Sequence, residues 1–373
     1  MNARPLSTWF TVAGLCVFWL YLGSLSLDQA RRHDFLSFYT GAWMVAHGHA
    51  LELYQPAAQL AFQHSVTHTT ASLAPYIRPP FYALLLAPLG LLPFEAAFVA
   101  WIVSQIVILM GCWAWSFRRF GPEAVLVASF FMPTTLGIAH GQDCALLAAL
   151  LIASYTLAAR EKPLAGGAVL GVMLAKFHLI LLWPVALVIQ RRWKMLAGFA
   201  AVAAGEAALS LAMVGASGIR DYRAILQDRS FENLSPSPEF MLSLPGLFAN
   251  LGVTRAATTI VSAAGVIAVW ALAIRGAPLA RLYTLTTLAG LLMVAHVYGY
   301  DASLLLLPIW LTLFLKAERP VRMGALWLAT PFPYCLTLAG KPWAALASVS
   351  LLAFLAALVI PRRVPESDAI ESA

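Results

Sequence analysis

The chain has 373 residues, of which 61% are hydrophobic and 11% charged, with a formal net charge of +7 at pH 7 and a mean hydropathy of +0.79. A soluble globular domain carries roughly a quarter charged residues, so this balance excludes one and reads as a single integral membrane domain over 1–373. The apolar runs are continuous and rich in Ala and Leu, which argues against a β-barrel and for an all-α polytopic transmembrane bundle. Lys and Arg fall in short clusters between apolar runs rather than along one stripe, so nucleic acid is not an expected partner.

The first apolar run, 7–27, is about twenty residues long, which suits a retained spanning helix better than the core of a cleaved signal peptide. Basic clusters follow at Arg118-Arg119, Arg160 with Lys162, Arg191-Arg192 with Lys194, Arg275 with Arg281, Lys316 to Arg322 and Arg362-Arg363. Setting each on the cytoplasmic side satisfies the positive-inside rule and resolves the chain into hairpins. The runs are 123–139 with 143–159, 164–177 with 179–190, 197–214 with 254–274, 282–297 with 301–315, and 322–338 with 342–360. About twelve crossings are expected. The segment 79–93, with Pro88 in its middle, is too short for a full span. It is expected either to re-enter and leave on one face or to cross as a short, tilted helix.

This arrangement gathers His33, Asp34, Gln142, Asp143, Lys176, His178, His296 and Asp301 on the non-cytoplasmic side. Asp34, at the mouth of the first run beside His33 and two arginines, is the leading candidate for a general base. A carboxylate there can take a proton from an attacking hydroxyl. The structural alternative is a helix cap or a pair with Arg31 or Arg32.

The first outer loop, about 28–78, contains a helical pattern over 35–46 expected to lie at the membrane interface. His47 and His49 are two residues apart and cannot share a helix face, and no acidic cluster accompanies them, so no metal is expected. The dispersed cysteines Cys16, Cys112, Cys144 and Cys335 read as small core residues rather than disulfide or zinc partners.

Arg78, before Pro79-Pro80, is either a bidentate phosphate ligand or a snorkelling anchor. In His140-Gly141-Gln142-Asp143, Gly141 permits a tight turn, the Gln142 amide suits a sugar hydroxyl, and Asp143 is expected to cap the following helix. Lys176 lies in an otherwise apolar run, a placement that costs about 2.5–3.5 kcal/mol and is recovered beside an anionic phosphate or by snorkelling. The polar segment of about 216–243 is expected to be a loop over a cavity or a solvated linker. His296 suits a phosphate contact or proton relay, and Asp301 is expected to begin a helix as its cap.

In sequence order, Asp34, Gly48 to Leu53-Tyr54, Tyr76 with Pro79-Pro80 and Pro88, Gly141-Gln142, Lys176 before Arg191-Arg192-Trp193, and Asp301 resemble glycosyltransferase family 87 up to about residue 320. That family comprises membrane mannosyltransferases of the GT-C type. The chain departs from the family pattern at Phe177, where proline is usual. The resemblance implies a metal-independent, inverting transfer of a sugar, usually mannose, from a polyprenyl phosphate, with no cofactor. It implies a site facing outward from a bacterial inner or plasma membrane and a lipid or envelope-glycan acceptor. On that analogy Asp34 is the base and Lys176, His296 and Arg78 hold the donor phosphate. His33, Tyr39, Gln142 and Asp301 are then candidates for sugar or acceptor contacts. A transporter or flippase of a lipid-linked sugar is the alternative, and internal repeats between the two halves would favour it; none is visible.

Overall fold

A computed structural model describes residues 34–68, 74–227, 238–253, 255–294, 296–315 and 317–360. His33, Lys316, the run 7–27 and the cluster Arg362-Arg363 lie outside the described residues. Within them the chain is helical, with no strand.

The first part comprises α1 (Asp34–Ala46), α2 (Pro56–Thr67) and α3 (Pro80–Gly90), followed by the long α4 (Phe94–Phe120). Proline opens both α2 and α3, a position where its missing N–H costs no hydrogen bond. Arg118 and Arg119 lie in the last turn of α4, where positive charge complements the helix dipole. Next come α5 (Pro122–Phe130) and α6 (Met132–Ala139), bent by 55° at their junction. They lead to α7 (Cys144–Ala159) and α8 (Pro163–Val172), which runs into a 3-10 segment, Met173–Ile180. After α9 (Leu182–Ile189) and the 35-residue α10 (Trp193–Gln227), the chain continues as α11 (Leu244–Asn250), α12 (Ala256–Ala273) and α13 (Leu279–Met293). A 3-10 turn at Gly299–Leu305 precedes α14 (Leu306–Phe314), and α15 (Arg319–Ala329), α16 (Phe332–Leu338) and α17 (Ala345–Val359) complete the described chain.

Four of these helical segments are long and apolar enough to cross a membrane, or five if the bent α5–α6 pair is one span; five further apolar helices are shorter. α12 buries little beyond Trp270, as a helix bathed in lipid would. In contrast α13 is buried almost all round and forms the centre of the main core with α14. Even the indole of Trp310 is satisfied there, donating to the Ala124 carbonyl at 2.9 Å.

Two sequence expectations need correction. The helix at 35–46 exists, but it is enclosed by protein rather than spread on an interface. Phe35, Leu36, Phe38, Tyr39, Ala42 and Met44 are all buried, positions that surround the helix axis instead of forming one stripe. Their rings interlock with Phe62 of α2, Tyr82 of α3 and Phe98 and Trp101 of α4. The polar segment beginning near 216 is not a loop at its start, because α10 continues through a break at Gly215 to Gln227.

α3 is 11 residues long, so at about 1.5 Å per residue it reaches only about half the hydrocarbon thickness. It lies against α1, with the rings of Phe38 and Tyr82 6.1 Å apart. The turn that follows is tied to the same helix by Tyr39, whose hydroxyl donates to the Leu92 carbonyl at 2.8 Å.

Candidate functional site

The site forms where the start of α3, the turn before α7, the break after α8 and the turn before α14 converge. Lys176 is itself the break: its backbone (φ −128°, ψ 59°) is non-helical inside Met173–Ile180. Such an interruption is tolerated in an apolar segment only where protein covers the freed backbone groups. Here the guanidinium of Arg78 does so, with Nη1 donating to the Ala175 carbonyl at 3.3 Å.

Two carboxylates neutralise the two cations. The Lys176 ammonium forms an ion pair with Asp301 Oδ1 and lies 3.9 Å from Asp143 Oδ1. Arg78 Nη2 is 3.3 Å from Asp143 Oδ1, and the Tyr82 hydroxyl donates to Asp143 Oδ2 at 3.0 Å. Side-chain exposure is 11% for Arg78, 5% for Lys176, 0% for Asp143 and 1% for Asp301, so the quartet is sealed except at Arg78. Charges this deep persist only when paired and hydrogen-bonded, and each here is. Aromatic rings complete the enclosure: Arg78 lies 5.3 Å from the Phe38 ring centroid and the Lys176 ammonium 5.1 Å from that of Tyr300.

The two aspartates differ in how far they act as caps. Asp301 does so, its Oδ2 accepting the Tyr298 N–H at 2.9 Å, while its other oxygen holds Lys176. Asp143 occupies the N-cap position of α7, but its side chain makes no capping bond. Gln105 of α4 takes that task instead, its Oε1 accepting the Leu146 N–H at 3.3 Å. The expectation that Asp143 caps with its carboxylate is therefore corrected: the cation of Arg78 outcompetes a backbone N–H for that side chain.

The predicted residues separate into three groups. Arg78, Gln142, Lys176 and Asp301 come together, with Gln142 Oε1 accepting from Arg78 Nη2 at 3.5 Å. Asp34 and His296 stand at the border. Asp34 is half-buried at the start of α1, within electrostatic reach of Tyr300. His296 is exposed, with its ring edge-on to Tyr298 at 4.8 Å, and is within electrostatic reach of Asp301, Lys176 and Arg78. Tyr39 stands apart, its hydroxyl on Leu92 and its ring against Phe35, Phe62 and Phe94. His33 falls outside the described residues.

The turn at 140–143 links the quartet to Asp34. Gly141 adopts φ +68°, and an added Cβ would meet Phe35 Cβ at 3.1 Å and the Phe35 backbone nitrogen at 3.4 Å. Trp101 fixes the turn from the other side, donating from Nε1 to the Gly141 carbonyl at 2.8 Å.

Sequence reasoning missed Tyr82 and the pairing role of Asp143. Charge balance was the available signal, since two cations buried among apolar helices demand two carboxylates. His178 also lies at the break, and its Nε2 has no hydrogen-bond partner among the described residues. No three His, Cys, Asp or Glu side chains gather in a group that could hold a metal ion among the described residues.

The fold and site define an all-helical membrane protein with a balanced, buried cluster of charges beside a break in an apolar helix. The chain belongs to glycosyltransferase family 87, whose model matches residues 76–308, more than half of its length. It is accordingly a glycosyltransferase. The match includes Arg78, Asp143, Lys176 and Asp301 and begins after Asp34. No curated protein and no solved structure matches the chain.

Proposed function

We propose that the protein is an inverting transferase that moves a sugar, mannose by family analogy, from a polyprenyl-phosphate donor to a lipid or envelope-glycan acceptor. The observation that carries this reading is the gathering of Arg78 and Lys176 in one buried cluster, bordered by Tyr300, which the Lys176 ammonium faces and which lies within electrostatic reach of half-buried Asp34. In the reaction, the acceptor oxygen forms a bond to the anomeric carbon while that carbon's bond to the phosphate oxygen breaks. The acceptor proton passes to the Asp34 carboxylate, and polyprenyl phosphate departs as the anion.

The quartet is electrically balanced before any donor arrives. A phosphate would therefore be held by N–H groups that the carboxylates do not consume, rather than by surplus charge. Arginine offers five N–H donors and lysine three, more than Asp143, Asp301, Gln142 and the Ala175 carbonyl require. His296, exposed beside this cluster, is the third proposed phosphate contact. His33, Tyr39, Gln142 and Asp301 were the candidate contacts to sugar or acceptor. Of these, Gln142 remains best suited, through its amide nitrogen, while Asp301 is better read as the partner that holds Lys176.

The proposed topology has about twelve crossings, counting the short apolar helices that protein covers. The segment 79–93 enters and leaves on the face of the site, a reading supported by the attachment of both ends of α3 to α1. That face is the outer side of a bacterial inner or plasma membrane.

Purified protein in lipid vesicles, given labelled polyprenyl-phosphate mannose and extracted envelope lipids, is expected to yield a labelled glycolipid. Transfer from a nucleotide sugar in the absence of lipid donor would overturn the donor assignment. Movement of intact donor across the vesicle membrane without transfer would point to a flippase instead.

A further inference from the structure

Arg78 is presented by an extended strap, residues 74–79, that belongs to no helix. Two of its six residues, Pro75 and Pro79, have no N–H, and the strap pairs with no strand. At Ala74, Pro75, Tyr76 and Arg78 its backbone is held by side chains from the preceding segment. Gln63 Oε1 accepts the Ala74 N–H at 2.9 Å while its Nε2 donates to the Ala74 carbonyl at 2.7 Å. Gln59 holds the strap two residues on: its Oε1 accepts the Tyr76 N–H at 2.8 Å, while its Nε2 donates to the Leu53 carbonyl at 2.7 Å and reaches the Tyr76 carbonyl at 3.4 Å.

The repeat distances explain why this works. Residues four apart on a helix are separated by about 6 Å along its axis, and alternate residues of an extended chain by about 6.6 Å. Gln59 and Gln63 on α2 therefore match alternate residues of the strap, each amide standing in for one residue of a partner strand. The next alternate residue is Arg78. There Tyr54 closes the series, its hydroxyl donating to the Arg78 carbonyl at 2.6 Å. Burial pushes the Tyr54 phenol up, which keeps it a donor. Ser37 adds a bond to the Pro75 carbonyl at 2.8 Å, and the Tyr76 hydroxyl one to the Pro79 carbonyl at 3.1 Å. The Tyr76 ring lies so close over Gly41 that a Cβ there would come within 2.5 Å of it.

We propose that Gln59 and Gln63, with Tyr54, are positioning residues that set the Arg78 guanidinium through this strap, so that the segment 53–63 governs the affinity for a phosphate-bearing donor. The inference rests on reading Arg78 as a donor-phosphate ligand. None of the three side chains touches Asp143 or Lys176, and their effect passes through the backbone at Ala74, Tyr76 and Arg78.

The test uses the full chain in lipid vesicles, polyprenyl-phosphate mannose as donor, and hydrogen exchange at the Ala74 and Tyr76 amides as a readout independent of activity. Gln59→Met, close in shape but unable to hydrogen-bond, is expected to accelerate exchange at Tyr76 and to raise the donor KM about tenfold, since small displacements of positioning groups carry effects of that size or larger. The acceptor KM is expected to stay within about twofold, a split that a merely loosened fold would not produce. In an Arg78→Ala background the same change is expected to add less than about twofold, because both act through one group. Gln63→Met, which removes the matching pair of bonds at Ala74, is expected to accelerate exchange at Ala74 and raise the donor KM in the same way, and serves if Gln59→Met fails to fold.

Faster exchange with an unchanged donor KM would overturn the proposal, as would unchanged exchange or full additivity with Arg78→Ala. Wild-type protein that transfers nothing from any polyprenyl-phosphate sugar would overturn the donor reading of Arg78 and the purpose assigned to the strap. The exchange response separates that failure from a failure of the strap itself.

Discussion

Arg78 and Asp143 are 65 residues apart in the chain and meet at 3.3 Å in a pocket where the carboxylate is wholly buried. The arginine also bridges to the Ala175 carbonyl at the helix break, so one side chain ties three segments together. Removing one partner leaves the other charged, buried and uncompensated. Asp143→Ala is therefore expected to destabilise the protein by about 3–5 kcal/mol, the usual cost of breaking a buried pair. Asp143→Asn, which still accepts from Tyr82, is expected to cost less. Thermal unfolding in detergent measures both, and an unchanged midpoint for Asp143→Ala would show that the pair contributes nothing.

Lys176 and Asp301 offer a test of pairing against ligand contact. Lys176→Met is expected to lower transfer by at least about a hundredfold, the scale seen when a donor to developing negative charge is removed. It also strands Asp301, lowering stability. Adding Asp301→Asn removes the stranded charge while keeping an acceptor for the Tyr298 N–H, so the double variant is expected to regain stability but not transfer. Unfolding midpoints and initial rates, read together for wild type, Lys176→Met, Asp301→Asn and the double variant, decide this. Recovery of transfer in the double variant would mean that Lys176 serves the fold alone.

Asp34 is half-buried at a helix start and lies outside the sealed quartet. Asp34→Asn is accordingly expected to leave the unfolding midpoint nearly unchanged while lowering transfer about 10²–10⁴-fold, the range for loss of a general base. Substantial transfer by the reconstituted variant would remove Asp34 from that role.

Gly141 joins Asp34's helix to the quartet. Gly141→Ala is expected to cost about 1 kcal/mol or more, because φ +68° disfavours a side chain and the new Cβ presses on Phe35. Transfer is expected to fall further than stability, because the turn carries Gln142 and Asp143 on one side and abuts α1 on the other. Equal losses in rate and stability would reduce Gly141 to a folding requirement.

Much of the architecture was legible in the residues. The apolar runs at 123–139 and 143–159 appear as a broken pair and a helix, and those at 164–177 and 179–190 as two helices joined by the 3-10 segment Met173–Ile180 with its break at Lys176, because continuous Ala and Leu leave little alternative. Charge clusters, read through membrane asymmetry, put His33, Asp34, Gln142, Asp143, Lys176, His178, His296 and Asp301 on one side; in the structure Gln142, Asp143, Lys176 and Asp301 meet in one cluster with Arg78. Lys176 stood out because an ionisable group within an apolar run carries an insertion cost that something must offset.

The sequence by itself determined that this protein is an all-helical membrane protein, because hydropathy and charge act locally along the chain. Only the tertiary structure decided which cation meets which carboxylate, that Asp143 serves Arg78 while Gln105 supports its helix, and that α1 is enclosed rather than interfacial. The pairings among these are competitions between partners 41 to 125 residues apart in sequence. Spacing along the chain does not report which buried donor wins a given acceptor; distance in the folded state does.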